Sequence, residues 1–186
     1  MTGLSSGRTE PSLAAIRADI AAGVRSTWRS LAGLAWGEMW QRPTPLPGWS
    51  VGDIAGHLVD LDTHYILSHS EPGRIQDLHR RTEEGVQQQR RRPAIEVRSD
   101  LSRLAEETPG VVEAVADWDQ PWPTVVGEMP AWMAFETRLG DLYVHLFDLS
   151  EAMGLKATPL RDPVVERALT RRVMRLAGWA AVKMAG

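Results

Sequence analysis

The stretch WSVGDIAGHLVDL, residues 49–61, decides the fold of this chain. Ser50 and Asp53 have the spacing of a capping box, in which each side chain bonds the backbone N–H of the other, with Asp53 in the place usually taken by Glu. Trp49, directly before the cap, is placed to act as a hydrophobic staple. The stretch therefore predicts an amphipathic helix that runs to about His69. Its apolar face is formed by residues at helical spacing, namely Val51, Ile54, Leu58, Leu61 and Tyr65.

The same periodicity predicts four further helices, and the alternation typical of strands is nearly absent. The region from 74 to 92 is polar, and we expect an irregular or weakly helical crossover there. Residues 108–110, Thr-Pro-Gly, are expected to kink or divide the third helix. One short extended piece is expected at residues 124–126, in the loop before the fourth helix. The further helices are predicted at Glu10–Met39, Pro93–Trp118, Ala131–Met153 and Pro163–Met184.

These elements indicate an all-α protein, a four-helix bundle with an additional C-terminal helix. Residues 1–9 are expected to form a disordered leader and residues 10–154 the bundle. Residues 155–186 are expected to form a linker and a helix that packs on the bundle. This last helix carries a row of apolar residues, so it is also a candidate interface for a homodimer.

Composition narrows the class of protein. The formal net charge of −3 shows no basic excess, which argues against nucleic-acid binding. No apolar run approaches the ~20 residues that span a bilayer, and the N-terminal MTGLSSGRTE lacks the apolar segment of a signal peptide. We therefore expect a cytoplasmic protein with no nucleic-acid or membrane partner. The chain has no cysteine, so any thiol chemistry must use a thiol from outside.

Three residues form a candidate metal site. Asp141 and His145 have the i, i+4 spacing that places two side chains on one face of a helix. His57, on the helix that begins at Ser50, would complete a set of three ligands. Three protein ligands with open positions are typical of a catalytic metal site rather than a structural one. The residues alone leave an alternative open, in which both histidines are hydrogen-bonded at the edge of the core without a metal.

Other charged residues lie on the same two helices. Asp148 can fix the tautomer of a ligating histidine. Arg138 can pair with the carboxylate three residues further on, or bind an anionic substrate. His64, two turns beyond His57, is expected to be a neighbour of the site or a surface residue rather than a ligand. Asp62 falls inside the apolar face of its helix and therefore requires a charged or hydrogen-bonded partner, most simply in a structural ion pair.

The segments around these residues resemble those of a known family. WSVGDIAGHL, preceded by LPG, and RLGDLYVHLFDLSEAMG resemble two motifs of the mycothiol-dependent maleylpyruvate isomerase N-terminal domain, within the DinB-like superfamily. PTVVGEMP lies where that family often has a glycine-containing loop, and the resemblance extends from the first helix to about Gly154. It implies a DinB-like four-helix bundle with a divalent metal at one end, most often zinc, with nickel as a second candidate. By match, the metal ligands fall on His57, Asp141 and His145.

The resemblance also implies a chemistry. Known members use low-molecular-weight thiols such as mycothiol or bacillithiol in transferase or isomerase reactions, so the expected partners are a small thiol and an electrophilic substrate. A metal-dependent hydrolase and a non-catalytic bundle that has lost its metal are the alternatives. Two departures from the family bear on this expectation. The usual Glu is Asp141 here, which is one methylene shorter, and the isomerase has a further C-terminal domain, which argues against maleylpyruvate as the substrate.

Overall fold

The computed structural model describes residues 12–67, 78–125, 127–155 and 162–185, with side chains except at 78, 79 and 176–185. Within these ranges it contains six α-helices and one small antiparallel sheet, which confirms the predicted all-α class with an additional C-terminal helix. None of these helices combines the length and the apolar composition needed to cross a bilayer. The helices are α1 (Leu13–Ala32), α2 (Val51–Leu61), α3 (Leu78–Arg90), α4 (Ala94–Glu113), α5 (Ala131–Ala152) and α6 (Pro163–Ala185), and the strands are β1 (Pro121–Trp122) and β2 (Met129–Pro130).

The capping box at the start of α2 forms as predicted. The Ser50 hydroxyl accepts a hydrogen bond from the Asp53 backbone N–H at 3.3 Å, and the Asp53 carboxylate accepts one from the Ser50 N–H at 2.8 Å. The helix continues as a π-helical turn, Asp62–Leu67, a widened geometry that is frequent at functional sites. The predicted end at His69 lies outside the described residues, as do the predicted leader at 1–9 and the linker residues 156–161.

Two expectations about the middle of the chain are met only in part. The polar region predicted to be irregular or weakly helical contains α3, which is a regular helix. Exposed pairs such as Arg80 with Glu84, at 2.9 Å, stabilise α3, while Val86 is buried beneath them. A kink or a division was expected at residues 108–110, and α4 runs without a break through Pro109, so the helix is not divided there. The kink stays a prediction. Thr108 and Pro109 are both buried, and packing there outweighs the backbone hydrogen bond that proline cannot make.

The first helix and the hairpin also differ from the prediction. α1 ends at its cap Gly33, short of the predicted bound, because Trp36 folds back and donates its indole N–H to the Leu31 carbonyl at 3.1 Å. The piece predicted to be extended is a turn over its described residues. There the backbone N–H groups of Thr124 and Gly127 each donate to the carbonyl of the other residue at 3.1 Å. Gly127 has φ of 113°, which favours glycine and fixes the turn between β1 and β2.

The core lies among α1, α2, α4 and α5, and α6 packs on α1 and α5. α1 approaches α5 closely at Gly23, where a Cβ would come within 2.8 Å of Leu139. Val165 and Ala168 of α6 are fully buried against this pair. Because α2 contacts α5, the charged flank of one helix meets that of the other. The largest fully buried side chains include Trp28, Leu58, Phe135, Leu139, Leu142 and Leu146.

Candidate metal centre

The structure brings together His57 of α2 with Asp141 and His145 of α5, and we call these three residues the triad. Nε2 of His57 lies 3.6 Å from Oδ2 of Asp141, and Nε2 of His145 lies 3.5 Å from Oδ1 of the same carboxylate. One donor atom from each side chain lies within 4.8 Å of the other two. Both histidines are buried, whereas the Asp141 side chain is 33% exposed. The triad is therefore reached by solvent on the Asp141 side.

Trp49 covers the two histidines of the triad. Its ring centre lies 5.4 Å from that of His57 and 6.4 Å from that of His145, and it is nearly parallel to the His145 ring, at 19°. A short loop fixes this position. The Trp49 carbonyl accepts a hydrogen bond from the Thr44 hydroxyl at 2.9 Å, and the Trp49 N–H donates to the Leu46 carbonyl at 3.1 Å. The residue expected to staple α2 thus also shields the triad from water, a role signalled by its place beside the cap of the histidine-bearing helix.

The protonation states of the triad suit ligands of a cation. Burial lowers the pKa of His57, and Asp141 offsets this only in part, so the imidazole is neutral near pH 7. Burial acts to raise the pKa of Asp141, but the two histidines and the charge of Arg138 hold it well below its usual range. Nε2 of His57 is buried and has no hydrogen-bond partner among the described residues, since 3.6 Å is too long for such a bond. An unpaired buried nitrogen is costly unless a ligand satisfies it.

Arg138 joins the triad to a second buried acid. Its guanidinium donates to Asp141 through Nη1, to Asp62 through Nε, and to the Leu58 carbonyl through Nη2, the last at 3.2 Å. The pair with Asp141 is the i, i+3 pair that the sequence predicted. Every nitrogen of this guanidinium therefore has an acceptor from the protein, which leaves little capacity for the other predicted role, binding an anionic substrate.

Asp62 forms the ion pair expected of a carboxylate inside an apolar face. It is fully buried, and beside Arg138 its carboxylate accepts hydrogen bonds from the Trp28 indole and the Thr108 hydroxyl, both at 3.0 Å. Burial raises the pKa of Asp62, and the charge of Arg138 and the bond from Thr108 counter it. We call Asp62, Arg138, Trp28 and Thr108 the paired cluster.

Asp148 and His64 were also predicted to be neighbours of the site, and Asp148 contacts the triad whereas His64 does not. Oδ2 of Asp148 lies 3.1 Å from Nδ1 of His145. Because a carboxylate only accepts, Nδ1 of His145 is the donor in this contact, and Nε2 is the ring nitrogen that faces Asp141. His64 does not join the triad. Its Nε2 lies 3.5 Å from Asp60, which also pairs with Arg81 at 3.3 Å, so His64 sits beside a link between α2 and α3.

Two cavities meet the triad at Asp141. The arginine cavity, of about 440 Å³, lies between α5 and α6, where Arg172 donates to the Thr137 carbonyl at 3.0 Å. Sequence reasoning missed Arg172, because helical spacing does not give the register of α6 against α5. The apolar cavity, of about 110 Å³, lies between the π-helical turn, the β1–β2 hairpin and α5. Its apolar walls come from Leu61, Tyr65, Ile66, Trp122, Val125 and Ala134.

The comparisons with known proteins agree with this fold. Residues 20–150 match the sequence model of the mycothiol maleylpyruvate isomerase N-terminal domain. The solved structure of a mycothiol-dependent maleylpyruvate isomerase superposes on the chain with a TM-score of 0.62 and 14% sequence identity, over 86% of this chain and 68% of that one. No curated protein matches the sequence significantly. Because the match covers most of the described bundle, the chain belongs to the mycothiol maleylpyruvate isomerase N-terminal domain family.

Proposed function

We propose that this chain is a divalent-metal-dependent enzyme that activates a small external thiol in a transferase or isomerase reaction. His57, Asp141 and His145 would hold the metal, with zinc expected and nickel as the second candidate. Mycothiol is the expected thiol, because both the matching family and the similar structure carry it in their names. The observation that carries the proposal is the convergence of three donors from two helices, with Nε2 of His57 buried and without a hydrogen-bond partner among the described residues.

The donor set and its spacing fit such an ion. Two imidazoles and one carboxylate are ordinary ligands for zinc or nickel, and the chain has no cysteine to replace them. Ligands about 2.0–2.1 Å from a tetrahedral ion lie roughly 3.3 Å apart. Nε2 of His145 lies 3.5 Å from Oδ1 of Asp141, and one donor atom from each of the three side chains lies within 4.8 Å of the others, so Asp141 reaches the cluster although it is shorter than Glu. Arg138 bonds Oδ2 of Asp141, so Oδ1, the oxygen that faces His145, is left to serve the metal.

The chain's own side chains set up the site for an incoming thiol. Held by two neutral imidazoles and one carboxylate, a divalent cation keeps a net charge near +1 and would stabilise a thiolate at an open position. Asp148 orients His145 through Nδ1, and Arg138 fixes Asp141. Trp49 excludes water from the histidine rings. The thiolate sulfur would then bond to an electrophilic carbon, as a stable conjugate or as a transient adduct that permits double-bond isomerisation.

One contact favours a second candidate function, a bundle that holds no catalytic metal. Arg138 already pairs with Asp141 and places a positive charge beside the triad. Like charges repel, so this guanidinium opposes the binding of a cation. In this alternative the histidines pack beneath Trp49, and the carboxylate of Asp141 is neutralised by Arg138 alone.

Elemental analysis of the purified chain separates the two candidates. The proposed enzyme retains stoichiometric zinc or nickel, and His57→Ala and His145→Ala each abolish that retention. His64→Ala is the matched control, because this histidine does not join the triad, and it should retain the metal. A wild-type chain without metal, whose melting temperature does not rise when zinc is added, would support the second candidate.

The reaction class needs a separate measurement. The metal-loaded chain should turn over electrophilic substrates only when a low-molecular-weight thiol is supplied, since no side chain can take its place. Omitting the thiol is the control within the same assay. Turnover that does not depend on the thiol would instead indicate a metal-dependent hydrolase, in which metal-bound water is the nucleophile.

A further inference from the structure

The apolar cavity has no charged group available to a ligand. Among its described lining residues, Arg138 and Asp141 carry charge, and they are bonded to each other. The remaining guanidinium nitrogens of Arg138 are taken by Asp62 and by the Leu58 carbonyl. Among the described lining residues, a carboxylate or phosphate placed in this cavity would therefore meet no cationic side chain that is free to bind it.

Two polar side chains on the wall, those of Trp122 and Thr124, are also engaged. The Trp122 indole donates to the Tyr65 carbonyl at 2.9 Å, and the Thr124 hydroxyl donates to the Gly127 carbonyl at 2.6 Å. These bonds occupy the Trp122 and Thr124 donors, and most of the remaining lining is aliphatic or aromatic carbon. Burial of apolar surface is then the main source of affinity for anything that enters.

Size limits the occupant. A buried apolar cavity of about 150 Å³ stays dry and accepts benzene, and the apolar cavity here is smaller, at about 110 Å³. It therefore accommodates a group of about four carbons. The arginine cavity on the other side of Asp141 is larger and contains Arg172, so an anionic ligand would favour that side.

We infer that the electrophilic substrate carries a small uncharged apolar group, which the apolar cavity holds beside the triad. This assignment rests on the proposed function and adds the class of substrate to it. A short α,β-unsaturated ester is the simplest such electrophile. The thiolate sulfur forms a bond to the β-carbon, the double-bond electron pair shifts to the α-carbon, and the α-carbon takes up the proton that the thiol has lost.

The test compares methyl crotonate with crotonate, which share the four-carbon chain and differ in charge. Because the protein has no cysteine, both can be measured by ligand-observed NMR without addition of a thiol. The full chain is used as purified and again after chelation of metals. In both states the ester should bind roughly tenfold or more tightly than the acid.

Substitutions in the cavity wall test whether the ester binds in the apolar cavity. Ala134→Phe fills the cavity and should abolish ester binding. If Ala134→Phe fails to fold, Val125→Arg serves as a second test, because Val125 lies in the half-buried hairpin turn and tolerates a larger side chain more easily. It should weaken the ester and strengthen crotonate binding, each roughly tenfold. Ile95→Arg is the matched control, since Ile95 is 64% exposed on α4, and it should change neither affinity.

Three results would overturn the inference. One is crotonate binding to the wild type as tightly as the ester. Another is ester binding that neither cavity substitution changes. The third is ester binding that Arg172→Gln removes, which would place the ester in the arginine cavity. Failure of the proposed function looks different, because the ester preference would persist in the chelated chain while no thiol-dependent turnover appears.

Discussion

Arg138 lies between two groups of buried polar side chains, and the two groups differ in how their atoms are satisfied. In the paired cluster, Asp62 is fully buried, and its carboxylate oxygens accept hydrogen bonds from the three side chains around it. In the triad, His57 is also buried, yet its Nε2 has no hydrogen-bond partner among the described residues and lies 3.6 Å from Asp141. The paired cluster is complete within the protein, whereas the triad leaves a donor atom for a ligand.

This difference predicts opposite responses to the same treatments. A complete buried ion pair is strongly destabilised when one partner is removed, because the other charge is left without compensation. A set of side chains that lacks its metal ion should respond to the addition of that ion instead. The paired cluster should therefore control folding stability and be indifferent to metal, while the triad should control metal binding.

The largest expected effect is on stability. Asp62→Ala removes one of the two carboxylates bonded to the buried Arg138 guanidinium and leaves the Trp28 and Thr108 donors without their acceptor, so it should lower the free energy of unfolding by about 3–5 kcal/mol. Urea unfolding measures this. Asp100→Ala is the matched control, because Asp100 pairs with arginines nearer the surface, and it should cost under about 1 kcal/mol. A loss at Asp62 no larger than that at Asp100 would contradict the assignment of the paired cluster.

The second effect is stabilisation by metal. At zinc about a hundredfold above its Kd, wild-type stability should rise by about 2.7 kcal/mol, seen as a higher melting temperature. His57→Ala should show no rise. Asp62→Asn, which alters the paired cluster and leaves the triad, should still be stabilised by zinc even though it starts from a lower melting temperature. Equal stabilisation of wild type and His57→Ala would mean that zinc binds elsewhere.

The third effect concerns the orientation of His145, one of the three side chains proposed to hold the metal. Asp148 bonds Nδ1 of His145, and removing its charge in Asp148→Asn should weaken metal binding about 10- to 100-fold. Competition with a chromophoric chelator measures the affinity. Glu151→Gln, an exposed acid on the same helix, is the control and should leave the affinity unchanged. If both variants bind metal as the wild type does, Asp148 does not orient His145.

The smallest effect extends the comparison to an ion pair between the buried Asp53 and the partly exposed Arg90. Burial acts to raise the pKa of Asp53, but hydrogen bonds from Arg90 and Ser50 hold it below its usual value. A carboxylate with a lowered pKa stabilises the fold above its unfolded pKa of about 3.9, and that stability is lost as pH falls through the folded pKa. Asp53→Asn should cost roughly 1 kcal/mol at neutral pH. The difference from wild type should shrink in acid, and a cost independent of pH in urea unfolding would contradict this.

Local signals in the sequence were enough to predict those parts of the site that lie within a single helix. The capping box of Ser50 and Asp53, the i, i+4 spacing of Asp141 and His145, and the misfit of Asp62 in an apolar face all follow from positions within a single helix. Each of these features is present in the structure. The spacing of a helix determines which residues share a face, and that information does not depend on neighbouring helices.

The contacts between elements were harder to predict. Nothing local indicated that Trp28 of α1 and Thr108 of α4 would donate to Asp62, or that Arg172 of α6 would line a cavity beside Asp141. These contacts depend on the crossing angle and register of packed helices, which the hydrophobic period does not specify. The meeting of His57 with the α5 residues was expected only from two polar flanks and a family resemblance.

Zinc K-edge X-ray absorption on the zinc-loaded chain tests the central claim most directly, because it counts the ligands around the bound ion. The wild-type spectrum should show scattering from two imidazoles together with a light carboxylate ligand, and His57→Ala should lose one imidazole. A spectrum without imidazole scattering, or one that His57→Ala leaves unchanged, would contradict the claim that these three side chains hold a metal.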